Sequence, residues 1–316
     1  MSLVQIQHRA PFLACGPSRH ALVKGPLPAS TAVIVMHVEN ELPHLIKLLD
    51  DDDPAVRKVL SEQFESCRGD VSTELDRLGI TLAEEDRTRL SDLLAPGRRK
   101  QIRHQWAVPQ HGLDETAQDW ETFELLLRLL SELLHDGTSL RPSLPDAIDQ
   151  ISDEAVLNGS HRDERSLCNF LFGSGRFRGD QEGFYHPSNA DLLWIIMNRK
   201  GNPIGLAVLA MLVAHRLNLS IGGCNFPAHF LAWISVKGDP HLVDCFGRGR
   251  LIAVEEIRRN SAVLTPDSRR AIEGPCTMRD ILLRILRNLH LAFTQQDRGK
   301  DADLIGELLL SLQSEP

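Results

Sequence analysis

The sequence predicts an α+β fold: a buried helix set against a short run of strands, with helical regions before and after. Three observations carry this. Leu206 to Leu217 is apolar nearly all round, and a helix of that kind is buried. Two runs that follow it, Gly222 to Ile234 and Leu242 to Phe246, have strand character, joined by a hairpin turn at Lys237 to Pro240. Elsewhere the apolar period is helical, most clearly in Asp119 to His135 and Arg279 to Phe293.

The bulk properties bound the function. With 316 residues, 42% hydrophobic and 25% charged, the chain has ordinary globular composition and room for about two domains. The net charge of -8 and the lack of a basic stripe with interleaved aromatics argue against a nucleic-acid partner. The cysteines at 15, 67, 168, 224, 245 and 276 are scattered with no CxxC pair, which argues against a disulfide framework or zinc module and for a reducing, cytoplasmic compartment. No run reaches membrane-span length, and Ala10 to Ala14 is too brief for a signal-peptide core.

Four regions follow in order. Residues 1–36 read as a loosely ordered, Pro- and Gly-rich tail, with Ala32 to Val38 fitting either a strand or the lead into a helix. Residues 37–118 are helical. Leu42, Leu45, Ile46, Leu48 and Leu49 share a helical face, Asp50 to Asp53 stop that helix, and Pro54 opens the next at a position where its missing N–H costs nothing. Val71 to Leu78 is a short helix, and Leu82 to Leu94 another, stopped by Ala95-Pro96-Gly97. The basic cluster Arg98, Arg99, Lys100 and Arg103 reads as a solvated face.

Residues 119–260 form the core. Asp119 to His135 is amphipathic and Gly137 stops it. Leu144 to Ile151, the stretch around Leu167 to Phe172, and Asn189 to Met197 add helices around a long glycine-rich loop with glycines at 173, 175, 179 and 183. Leu251 to Arg259 is read as a helix leaning on the sheet. In residues 261–316 a polar connection leads into a helical hairpin, Arg279 to Phe293 and Asp301 to Leu312, with Arg284 and Arg287 read as solvated.

The chemistry gathers at the buried helix. Its N-terminus, at Gly201, Asn202 and Pro203, points free N–H groups and a positive dipole end into the protein, a setting that stabilises a thiolate or an anion. His229 on the first strand and Asp244 on the second supply the other members of a Cys-His-Asp arrangement. The cysteine is missing: Pro203 holds its place. Alone, His229 fits a satisfied core histidine; with Asp244 it fits a triad. By strand parity Cys245 faces away from Asp244, and Cys224 lies at an odd offset from His229 unless Pro227 introduces a bulge, so both are weak substitutes as nucleophile. The histidines lack metal-ligand spacing and no dinucleotide or phosphate-loop glycine motif occurs, so neither a metal nor a cofactor is expected.

At these residues the chain resembles SirB-type bacterial proteins of the transglutaminase-like superfamily. The pattern G-x-P-I appears at Gly201 to Ile204, the motif ending F-P-x-H-F-L within Gly222 to Leu231, and D-x-F at Asp244 to Phe246. The upstream block is similar to Arg176 to Gly179 and Tyr185 to Asn189, and the closing helix to Ile281 to Leu289. The resemblance covers roughly Asp119 to Leu312. Leu42 to Phe64, with Asp53 to Arg57 as D-x-x-V-R, resembles a HEAT repeat as closely as it does an ordinary helical hairpin.

The resemblance implies a papain-like core and acyl transfer through a thioester, with Pro203 at the nucleophile position. The expected function is a non-catalytic regulatory or protein-binding scaffold, with a protein or peptide partner held near Gly201, Asn202, Pro203, Pro227 and Tyr185. The rival is a cysteine-type hydrolase or acyltransferase using His229 and Asp244 with a displaced cysteine or an activated water.

Overall fold

A computed structural model describes residues 41–65, 67–109, 113, 117–227, 229–259 and 264–313. The expected tail and the Ala32 to Val38 stretch lie outside these residues.

The helical region opens with a helical stretch at 41–46 and helix α1 (Pro54–Glu65), followed by α2 (Ser72–Arg77) and α3 (Glu84–Gln105). Leu42, Leu45, Leu60, Phe64, Leu75, Leu90 and Leu94 bury together as one cluster. The expected stop at Ala95-Pro96-Gly97 is corrected: α3 runs straight through Pro96 to Gln105. Packing outweighs the lost backbone hydrogen bond there. Gly97 lies so close to the preceding loop that a Cβ would sit 2.3 Å from the Cys67 carbonyl oxygen.

The solvated reading of the basic cluster is corrected for Arg98 and Arg99, while Lys100 and Arg103 are exposed. Arg98 is a partly buried tie that donates to the carbonyls of Gly69, Asp136 and Ser91, and burial pushes its guanidinium down to about 10. Arg99 pairs with Asp301 at 3.0 Å and Arg103 with Glu307 at 2.7 Å. These residues fasten α3 to the C-terminal hairpin.

The core begins with α4 (Ala117–Leu134) and α5 (Leu144–Leu157), the latter capped by Ser143. Helix α6 (Glu164–Cys168) passes into one π-helical turn at Asn169–Gly173. The glycine-rich loop then forms β1 (Arg178–Gly179), which pairs in parallel with β2 (Lys200–Gly201). Between them lie a 3-10 turn at Pro187–Ala190 and α7 (Leu192–Asn198).

Helix α8 (Pro203–Arg216) is buried at every position from Pro203 to Ala214. It packs on an antiparallel sheet of order β3-β4-β5-β6: Gly222–Cys224, Leu231–Val236, Asp239–Asp244 and Arg250–Ala253. Phe230, Ala232, Ile234, Val243 and Cys245 join the helix in the main core, while Cys224, Leu231, Leu242 and Val254 line the opposite face. The β4–β5 turn is Lys237-Gly238, both at positive φ (55° and 91°), as a tight hairpin requires.

Two further expectations change. Arg250–Ala253 is a fourth strand, so the helix read from Leu251 starts only at α9 (Val254–Arg259). His229 is not on a strand: the ladder stops at Cys224, a turn runs through Phe226 and Pro227, and β4 starts at Leu231. The polar connection holds α10 (Pro266–Ala271), and the chain closes with α11 (Met278–Gln295), which has a capping box on Thr277 and Asp280, and α12 (Gly299–Gln313).

By helix propensity, Gly97→Ala in α3 gains about 1 kcal/mol. The close Cys67 carbonyl reverses the sign, so urea denaturation is expected to show a net loss of stability; a gain would contradict this packing.

Candidate functional site

The sheet and the turn before β4 bring two side chains together. His229 Nε2 lies 2.9 Å from Asp244 Oδ1, with the imidazole half-exposed and the carboxylate nearly buried. The same Asp244 oxygen accepts from the Gly247 N–H at 2.8 Å, and Arg250 stands 3.6 Å from Oδ2. Gly247 is required there, because a Cβ would fall 2.4 Å from Asp244 Oδ2. A carboxylate only accepts, so Nε2 is the donor, and in the neutral ring this leaves the lone pair on Nδ1. Among the described residues Nδ1 has no hydrogen-bond partner.

The start of α8 is equally well built. Asn202 caps it, its side-chain oxygen accepting from the Gly205 N–H at 2.8 Å. Pro203 occupies the first helical position and is buried. Gly201 hydrogen-bonds through its carbonyl to Asp180 N at 2.9 Å, and both Gly201 and Gly205 press against Ile195. Asn202, Pro203 and Ile204 form one side of a cavity of about 300 Å³, with Tyr185 and Phe230 also on its wall. An aromatic chain joins this cavity to the pair. The His229 and Phe246 rings meet edge-on at 6.3 Å, Phe246 meets Phe184 at 5.7 Å, and Phe184 lines the cavity.

The other predicted residues lie elsewhere. Pro227 is exposed in the turn before His229 and is not on the cavity wall. Cys224 sits opposite Leu231 in the sheet register and shares its face, whereas the turn between them takes His229 off the ladder, so strand parity does not relate the two. Its thiol donates to the Ala271 carbonyl at 3.1 Å, and burial pushes it up to about 12. Cys245 faces the main core as parity predicts, and burial raises it well above the usual thiol range. Cys168 and Cys276 are pushed up to about 12 and Cys67 to about 11, again by burial first. Among the described residues no cysteine hydrogen-bonds to His229.

Three residues given no site role by the sequence lie at the site, although Phe246 and Asn189 fall inside its motifs at Asp244 to Phe246 and Tyr185 to Asn189. Arg284, expected to be solvated, is half-buried; it donates to Asn225 Oδ1 and to the Phe226 carbonyl at 3.0 Å, bracing the turn that presents His229. Phe246 and Asn189 carry only apolar or polar character in sequence, and their placement needs the folded loops. Among the described residues no group of His, Cys, Asp or Glu is suited to a metal ion, and no helix is long and apolar enough to cross a membrane.

A family profile described as "Transglutaminase-like superfamily" matches residues 139–287, the stretch that contains α8, the sheet and the His229–Asp244 pair. The chain carries a transglutaminase-like domain. Its α+β core has helical regions on both sides, as the sequence predicts. A UPF0162 protein of Xylella fastidiosa (strain Temecula1) is 35% identical over 149 residues, 45% of this chain and 53% of that protein. A UPF0162 protein of Vibrio cholerae is 32% identical over 128 residues, covering 39% and 47%. The F-box only protein 21 of Homo sapiens is 26% identical over 127 residues, 38% of this chain and 20% of that protein. The chain thus spans about half the length of the bacterial relatives it matches. No solved structure matches it.

Alkylation of the folded protein by iodoacetamide, mapped by mass spectrometry, is expected to leave Cys168, Cys224 and Cys245 unmodified until denaturant is added, because buried neutral thiols are poor nucleophiles. Rapid native labelling of Cys224 that disappears in His229→Ala would contradict this arrangement.

Proposed function

We propose that this transglutaminase-like domain is a non-catalytic binding module of SirB type, acting in the cytoplasm as a regulatory or protein-binding scaffold. One observation carries the reading. The position at the start of α8 where an acyl-transfer nucleophile belongs is Pro203, while the His229–Asp244 pair stands 2.9 Å apart with no described thiol upon it. Without a nucleophile the thioester route has no first step. What remains is a shaped, partly apolar cavity at a helix N-terminus, which suits holding a peptide segment of a partner.

The comparisons support a portable module. A matched stretch of 149 residues makes up 53% of a bacterial protein, and one of 127 residues makes up 20% of the human F-box only protein 21. In this reading the helical pair ending at α1 is HEAT-like and adds a partner surface beside the domain.

A second reading rests on the pair itself. The Gly247 N–H holds Asp244, with Arg250 3.6 Å away, and Nδ1 of His229 has no partner among the described residues. That geometry suits a base activating a water, or a displaced cysteine, in a hydrolase or acyltransferase.

Pro203→Cys separates intact geometry from a collapsed site. If the scaffold keeps the superfamily arrangement, the new thiol is expected to react with iodoacetamide about tenfold or more faster than an unperturbed cysteine, and His229→Ala is expected to abolish the advantage. The unmodified protein is expected to leave ester and amide substrates intact. Turnover by the unmodified protein that depends on His229 would overturn the non-catalytic reading in favour of the second.

A further inference from the structure

The cavity at the start of α8 presents three polar groups that its own framework leaves over. Arg284, half-buried on α11, gives one guanidinium nitrogen to Asn225 and Phe226 and faces no carboxylate among the described residues. A partly buried cation without a carboxylate partner favours an anion beside it.

The first turn of α8 supplies a donor. Pro203 has no N–H and the Gly205 N–H is taken by Asn202, which leaves the Ile204 N–H without an acceptor among the described residues. Asn189 supplies an acceptor. It is 2% exposed, and its amide nitrogen is committed to the Gly183 carbonyl at 2.6 Å and to Asp180, which fixes the orientation of the amide. Its Oδ1 is buried and has no partner among the described residues. Asn189, Ile204 and Arg284 all line the cavity, whose remaining wall is largely apolar, with Phe184, Phe230 and Leu289.

We infer that this cavity binds the free C-terminus of a peptide whose last residue is apolar. The terminal carboxylate takes the Arg284 guanidinium and the Ile204 N–H. The amide N–H of the last residue donates to Asn189 Oδ1, and its side chain lies on the apolar wall. A simple anion leaves the Asn189 acceptor unused, and an internal peptide segment leaves Arg284 without its counter-charge. A volume of about 300 Å³ sits at the small end of ligand pockets, which suits a chain end rather than a folded surface. The inference rests on the binding-module reading and names the chemistry of its ligand.

Fluorescence anisotropy with the full chain tests it. The probes are fluorescein-labelled short peptides ending in Leu, Phe or Val, each as free acid and as C-terminal carboxamide. The free acids are expected to bind, and the carboxamides to bind about tenfold or more weakly, as loss of a charge-assisted contact implies. Asn288→Asp changes an exposed residue of the cavity wall and places a carboxylate one helical turn from Arg284, where it neutralises the guanidinium. It is expected to weaken free-acid binding by a similar factor with an unchanged Tm, which keeps the test independent of Arg284 variants that disturb the 225–229 turn. Equal binding of acid and carboxamide overturns the C-terminal assignment and leaves a binding module standing. Binding of neither form overturns the assignment as well. Probe peptides recovered cleaved, or found attached to the protein by mass spectrometry, overturn the non-catalytic reading on which the inference rests.

Discussion

Burial of one helix on all sides is the constraint on which this structure depends. From Pro203 to Ala214 no residue of α8 reaches solvent, so every neighbour must supply apolar surface, and both helix ends must be satisfied inside the protein. The sheet face of Ala232, Ile234 and Val243, with helices α5, α6 and α7, supplies the surface. Asn202 satisfies part of the N-terminus. Arg216, at the C-terminal end, pairs with Glu124 and Asp149, a placement that also suits the helix dipole. The N-terminal end cannot be fully satisfied by its own cap, and the leftover N–H opens onto a cavity. The packing that secures the helix thus leaves an incompletely satisfied end beside a cavity.

The same constraint explains how much was legible. A helix apolar all round needs no structure to be recognised, and neither does a two-residue turn such as Lys237-Gly238, where the glycine takes positive φ at no steric cost. The sequence pairs His229 with Asp244 by reading both onto adjacent strands and by the resemblance; the contact forms although His229 lies in the turn before β4. The illegible parts are those in which tertiary contact overrides a local rule. Pro96-Gly97 carries every sign of a helix stop, yet the approach of the Cys67 loop and the burial of Leu94 and Ile102 hold the helix through it. Arg98 and Arg284 look like surface cations because charge alone does not reveal that carbonyls of distant loops await them. Leu251 to Ala253 was assigned to a helix, since a short apolar run does not distinguish strand from helix.

The His229–Asp244 pair and the start of α8 at Pro203 are tied together by the turn before β4 and by α11. Asp244 is fixed by the Gly247 N–H and by the end of β5, and the turn carrying His229 is braced from beneath by Arg284. One residue therefore serves two ends: it steadies the imidazole and charges the cavity wall. That placement couples the His229–Asp244 pair physically to the wall of the cavity at the start of α8.

The claim on which the proposed function rests is that Asp244 orients His229, with no described partner on Nδ1, beside a helix start occupied by Pro203. The imidazole nitrogen-15 shifts of His229 in the folded protein test it most directly. The account predicts that the neutral ring carries its proton on Nε2, with a pyridine-like Nδ1, and that Asp244→Asn removes this preference. A ring protonated on Nδ1, or one indifferent to Asp244, would contradict it.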